Sequence, residues 1–273
     1  MYKVIRQLQL LDKFFLLMLP IVAMFFSVKF NSSYSISTIL FYALPGIYVL
    51  LRFGKIWQWW KALLFSVLFT TPFTIIVDYI GIKSGLWYTP TSSLAVRFLG
   101  IIPWEDFLWM IAGTYTIIMI YETLVSEGKQ ELINRRAIYF VLSAIIVLSI
   151  FFLFFVTGRT DFFIFESKYA YLILASIFFL FPALLFVIKF PEYLKNFLPL
   201  SVYFLYLTIL FEITATYLHQ WIFTGKYLIP PLNIFGNTPI PYEELFFVGV
   251  VGPIVALSLY EFFDNSPVET NYK

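Results

Sequence analysis

Two short acidic motifs in this chain could do chemistry: Pro103-Trp104-Glu105-Asp106 and Pro241-Tyr242-Glu243-Glu244. Each follows a loop marked by glycines and an aromatic residue: Gly85, Trp87 and Gly100 before the first, Gly225, Tyr227 and Gly236 before the second. Each opens an apolar run that closes on Tyr-Glu, at Tyr121-Glu122 and Tyr260-Glu261. Adjacent, poorly hydrated carboxyls resist ionising together, so one keeps its proton near neutral pH. A retained proton beside an ionised partner is what paired general acid and general base chemistry needs. One Pro-x-Glu-Asp has an adequate structural account, because proline suits the first helical position and carboxylates there complement the helix dipole. Two copies at the mouths of two membrane helices favour the chemical account, since acids at membrane depth are costly and mark functional sites.

Those helices follow from composition. The chain has 273 residues, 61% of them hydrophobic and only 12% charged, with a mean hydropathy of +0.86. A soluble domain carries about a quarter charged residues. The apolar residues fall in runs long enough to cross a hydrocarbon core of about 30 Å, and they lack the alternation of a barrel strand. The expected fold is therefore all-α and polytopic, with about eight spans: Phe14–Val28, Ile36–Leu51, Ala62–Ile80, Phe107–Val125, Ala137–Val156, Tyr169–Ile188, Leu198–Leu218 and Leu245–Phe263. Lys3 and Arg6 precede the first run without a small-residue cleavage signature, which reads as a retained helix. The residues from Asp264 onward read as a polar tail.

Charge orients the bundle. Lys3, Arg6, Lys13, Arg52, Lys55, Lys61, Lys129, Arg135, Arg136, Lys189, Lys195 and Lys273 fall on one side; Lys29, Lys83, Arg97, Arg159, Lys168 and Lys226 fall on the other. That bias puts both termini in the cytoplasm, and the expected location is a prokaryotic cytoplasmic membrane. The doubled motif divides the chain into tandem repeats, 1–128 and 129–273, of four spans each. An even span number keeps orientation, so the repeats are parallel and both acidic motifs share the non-cytoplasmic face.

Cysteine is absent, and the single histidine, His219, rules out a multi-histidine metal centre within one chain. His219 reads as an interfacial anchor rather than a base. No phosphate-cradling glycine loop and no basic run suggest a nucleotide cofactor or nucleic acid. Two further acids precede the motifs, Asp78 and Glu212. Counted to the next tryptophan, each stands nine residues before it, at Trp87 and Trp221. Aligning Gly85 with Gly225 instead matches Asp78 to Leu218 and leaves Glu212 without a counterpart. The glycine register is preferred, because it also matches the aromatics Trp87 and Tyr227. Aromatics are 22% of the chain. Trp87, Tyr88, Trp104, Trp109, Tyr227 and Tyr242 cluster around the acids, where rings can stabilise a cation by about 2 kcal/mol or more when dry.

The repeated G-x-W…G…Pro-x-Glu-Glu/Asp-x-x-Phe pattern resembles the lycopene cyclase domain family, membrane carotenoid cyclases found as two small subunits or one fused chain. The resemblance covers Thr71 to Glu122 and Glu212 to Glu261. It rests on Asp78, Gly85, Trp87, Arg97, Pro103, Glu105, Asp106 and Phe107, then on Gly225, Tyr227, Gly236, Pro241, Glu243, Glu244 and Phe246. The chain departs from the pattern in having Leu218 where an Asp is expected and Tyr227 in place of Trp. It also carries Glu-Asp first and Glu-Glu second.

The resemblance implies a cofactor-free, non-redox cyclisation of a linear polyene end group through a carbocation. Glu105 and Glu243 would form the main acid–base pair, Asp106 and Glu244 would be their charge partners, and Asp78 and Glu212 further candidates. Trp87, Trp104, Tyr227, Tyr242 and Arg97 would bind substrate. The partners implied are a lipophilic polyene and membrane lipid, and a homo-oligomer is compatible with the sequence. Two alternatives use the same acids: a carotenoid hydratase or other polyprenyl cyclase, and a small proton- or cation-coupled transporter.

Overall fold

The apolar runs close their backbone hydrogen bonds internally as helices, the economical solution in hydrocarbon. A computed structural model describes residues 10–53, 56–124, 137–225, 227, 229–233 and 239–263. Lys3, Arg6, Lys55, Lys129, Arg135, Arg136, Lys226, Lys273, Gly236, Val125 and the tail from Asp264 lie outside the described residues.

Eight long helical segments are present among the described residues: α1 Leu10–Lys29, α2 Tyr34–Phe53, α3 Ile56–Lys83, α4 Trp104–Leu124, α5 Ala137–Val156, α6 Ala170–Lys189, α7 Leu194–Tyr217 and α8 Tyr242–Phe263. Seven of these regions are long and apolar enough to cross a membrane. The exception is α4. Its 21 residues reach about 31 Å, a full hydrocarbon thickness, but it carries Glu105, Asp106 and Glu122. All three acids are buried, because α4 packs among α2, α3, α7 and α8 at the centre of the bundle. The chain is an all-α polytopic membrane protein.

Three helices contain a π-turn: Ile39–Ala43 in α2, Ser176–Leu180 in α6 and Phe247–Val251 in α8. Each ends two residues before a proline, Pro45, Pro182 or Pro253. Proline cannot donate to the carbonyl four residues back, so the ladder there relaxes to a wider turn. In α2, Thr116 Oγ1 of α4 donates to the Tyr42 carbonyl within that wide turn.

α3 and α7 end alike. Gly85 and His219 both adopt the left-handed conformation, at φ +67° and +54°. The following residue reaches back in each case, Leu86 N to Gly81 O and Gln220 N to Ala215 O. Such an end is a Schellman-type cap. Gly225 serves a different purpose, because a Cβ there would stand 3.2 Å from the Leu86 Cα, and its N–H donates to Leu86 O. By cap geometry Gly85 matches His219 rather than Gly225, and counting from the two caps sets Trp87 against Trp221 and Asp78 against Glu212.

Just beyond those caps, β1 (Trp87–Tyr88) pairs antiparallel with β4 (Ile222–Phe223). In this register Tyr88 faces Ile222, the residue at its own position in the other half. At the opposite end of the bundle, Tyr121 donates to Glu261 and Tyr260 donates to Glu122. A contact exchanged reciprocally in this way is what a two-fold relation produces.

Candidate active site

Asp106 and Glu244 are each the third residue of their helix, α4 and α8, and both are buried. Each accepts a hydrogen bond from a tyrosine at the start of a neighbouring helix. Tyr34 of α2 donates to Asp106 Oδ1 at 3.1 Å, and Tyr171 of α6 donates to Glu244 Oε2. Each tyrosine in turn packs edge-on against a tryptophan of the opposite half: Tyr34 on Trp221 at 5.6 Å and Tyr171 on Trp87 at 5.9 Å between centroids.

The two arrangements border one cavity of about 100 Å³, lined by Asp78, Asp106 and Glu244 together with Trp87, Trp109, Tyr42, Tyr171 and Trp221. Away from the acids its wall is apolar except for Thr114. It runs down α3 to Phe69, α4 to Ile117 and α8 to Ala256, which from Asp78, Asp106 and Glu244 amounts to about 14–18 Å of helix. The fourth acid, Glu212, is fully buried behind Trp221, whose Nε1 donates to Glu212 Oε2 at 3.0 Å. Carboxyls from both halves thus converge on an aromatic, water-poor space.

The outer acid of each motif is used differently. Glu105 does not line the cavity. It accepts from Ser92 Oγ at 2.7 Å, the Ser93 N–H, and Ser35 Oγ at 3.5 Å, which fastens the loop before α4. Glu243 accepts from the Ile229 N–H at 3.4 Å and is likewise absent from the cavity wall. Asp106 and Glu244 face the cavity, while Glu105 and Glu243 bond to the loops before their helices. Sequence spacing alone could not choose between neighbours in a first turn, since only the helix rotation sets which one points inward.

Of the expected substrate-binding residues, only Trp87 lines the cavity. Gly81 leaves room for its ring, because a Cβ there would collide with the indole. Arg97, in β2 (Arg97–Phe98), which pairs antiparallel with β3 (Ile102–Pro103), clasps its own loop through the carbonyls of Thr89 at 2.7 Å and Ile101 at 3.0 Å. Trp104 is half-buried outside the cavity and Tyr242 is exposed. Tyr227 supports the wall from behind, donating to Leu86 O at 3.0 Å and packing on Tyr171. Burial, and then the nearby Glu244, raise its phenol well above the ordinary range. Tyr34, Tyr42 and Tyr171 were not singled out in the sequence. A signal was available for two of them: Tyr34 and Tyr171 each stand eleven residues before a proline, Pro45 and Pro182, within an apolar run.

Residues 31–124 match the family model described as lycopene cyclase. This segment, about a third of the chain, is similar to the lycopene cyclase family. It contains Tyr34, Asp78, Trp87 and Asp106. No curated protein and no solved structure matches the chain.

Proposed function

We propose that this protein cyclises a linear polyene end group without net redox change, with Asp106 and Glu244 dividing the acid and base roles. The observation that carries the reading is the convergence of Asp78, Asp106 and Glu244 on one aromatic cavity that continues as an apolar slot. A neutral carboxyl gives its proton to the terminal alkene, leaving a tertiary cation. An internal alkene attacks that cation and closes the ring, and an ionised carboxylate removes a proton to restore neutrality. Indole and phenol faces of Trp87, Trp109, Trp221 and Tyr171 stabilise the positive charge between these steps. The hydrogen bonds from Tyr34 and Tyr171 leave one oxygen of each acid for substrate. The apolar slot takes the adjoining polyene, which enters from the bilayer.

On this reading the chain comprises two repeats, 1–128 and 129–273. The shared caps, the matching π-turns, the β1–β4 pairing and the reciprocal Tyr–Glu bonds support the division. Both termini face the cytoplasm, and no metal or organic cofactor takes part.

The test is expression of the full chain in a host that accumulates an acyclic C40 polyene. Cyclised product of unchanged mass is expected. A product heavier by one water would favour the hydratase, and unchanged polyene beside well-expressed protein would refute both.

A further inference from the structure

The two halves of the cavity region correspond position by position, yet they are not chemically alike. Tyr42 is the fourth residue of the π-turn in α2, and Phe179 is the fourth in α6. Trp109 stands three residues after Asp106, and Phe247 three after Glu244. Thr208 precedes Glu212 by four residues, as Thr74 precedes Asp78. One side therefore carries Tyr42, Trp109, Thr208 and Glu212; the other carries Phe179, Phe247, Thr74 and Asp78.

The first set is close together. The Tyr42 ring lies 5.7 Å from Phe204 and 4.9 Å from Phe211, which flank Thr208 on α7, and 6.0 Å from Trp109. Thr208 and Glu212 share one face of that helix. The Tyr42 hydroxyl sits beside Trp109 and Thr208 and within electrostatic reach of Glu212. Tyr42, Thr208 and Glu212 are 0–1% exposed. Tyr42 Oη, Trp109 Nε1 and Thr208 Oγ1 adjoin one another without closing a well-formed hydrogen bond, and Glu212 Oε1 accepts none among the described residues. Buried polar atoms left poorly partnered are costly. Three that adjoin one another, with a fourth on the same helix face as Thr208, offer the two to four polar partners that a single bound oxygen needs.

We propose that Tyr42, Trp109, Thr208 and Glu212 form a binding subsite for a single O–H group just behind the cavity wall, reached past Tyr42 and Trp109, which line it, and that the corresponding Phe179 side does not. The indole donates to the bound oxygen, Glu212 Oε1 accepts from it, and the two hydroxyls orient to suit. The group is a water molecule or the terminal hydroxyl of a polyene; the second source rests on the proposed function, whereas the first does not.

Two measurements on the full chain in nanodiscs separate these sources. The first compares binding, by tryptophan quenching, of an acyclic C40 polyene and the same polyene bearing a terminal hydroxyl. A preference for the hydroxylated probe of about tenfold, corresponding to one buried hydrogen bond, that disappears in Tyr42→Phe and in Thr208→Val, establishes the subsite with a substrate hydroxyl. The second is a density map fine enough to show ordered water. An oxygen bonded to Tyr42 and Glu212 in the unmodified protein, and lost in either variant, establishes the subsite with water. Equal affinity for both probes together with a dry site overturns the proposal. If neither polyene binds, the proposed function fails and the map alone decides the subsite.

Discussion

The indole of Trp87 meets the ring of Tyr171 edge-on, 5.9 Å between centroids, and through it the first half of the chain reaches the acid of the second. Tyr171 donates to Glu244, so a wall residue from one half presses on the group that orients the carboxyl of the other. Tyr34 and Trp221 make the converse contact around Asp106. Neither acid is surrounded by its own half alone.

The acids should rank by direction, not by motif. Asp106→Asn and Glu244→Gln remove groups on the cavity wall, and cyclised product per unit of protein should fall by about 10²–10⁴, the usual weight of a general acid or base. Glu105→Gln loosens a loop held by Ser92 and Ser93 and should cost less than about tenfold. Pigment extraction normalised to immunoblot signal measures both. Equal, complete loss in all three variants would return Glu105 to the chemistry.

Tyr34→Phe and Tyr171→Phe keep the rings and the contacts to tryptophan but remove the hydroxyl donors. A hydrogen bond to a charged group contributes about 1.5–3 kcal/mol, so turnover should drop by about 10–100-fold. Substrate affinity should change little, because the rings remain. Thermal midpoints within a few degrees of the parent would separate this effect from unfolding. Unchanged turnover would show that the acids orient without the tyrosines.

Much of this was legible in the sequence, and what escaped has physical reasons. The spans followed from apolar runs, and the doubled acid motif pointed to the right end of the bundle. The register between halves did not. Gly85 and Gly225 look equivalent as letters, but one is needed for its left-handed φ and the other for the close approach of Leu86. The residue that ends its helix as Gly85 does is His219, which adopts the same backbone without being glycine. One residue of offset also accrues within α8: Glu244 lies 138 positions after Asp106, but Tyr260 lies 139 after Tyr121. The π-turn at Phe247–Val251 absorbs that extra residue. Nor does spacing reveal which first-turn carboxyl points inward, or that a tryptophan serves the opposite half.

The same geometry makes His219 a cap residue. Its side chain is exposed and its backbone is left-handed, a conformation costing a non-glycine residue about 1–2 kcal/mol. His219→Gly should raise stability by about 0.5 kcal/mol after glycine's own entropic cost, read as a higher unfolding midpoint in detergent. Cyclisation should be intact. Abolished activity in a stable protein would make His219 a base after all.

Gly225→Ala should do the reverse. A methyl group there meets the Leu86 backbone at 3.2–3.3 Å, and that backbone cannot retreat without breaking the β1–β4 pairing that seats Trp87. Overpacking of this kind costs about 1–3 kcal/mol. Gly85→Ala meets nothing within 4 Å and pays only for its φ. Comparable midpoints are then expected, but only Gly225→Ala should also shift the tryptophan fluorescence, through displaced Trp87. A silent Gly225→Ala spectrum would show that the β1–β4 pairing does not seat the ring.

Cutting the chain provides the widest test. Residues 1–128 and 129–273 expressed separately should each fail to cyclise, because Asp106 would lack Trp221 and Glu244 would lack Trp87. Expressed together, they should recover activity, since the contacts joining them are already non-covalent and reciprocal: Tyr34 with Trp221, Trp87 with Tyr171, Tyr121 with Glu261, Tyr260 with Glu122. Tyr121→Phe combined with Tyr260→Phe removes both Tyr–Glu bonds far from the acids. It should therefore lower recovery in the split pair much more than activity in the intact chain, where the covalent connection keeps the halves at high effective concentration. Cyclisation by either half alone would mean that one dyad and its own helices suffice, and that the exchange of aromatic residues is only packing.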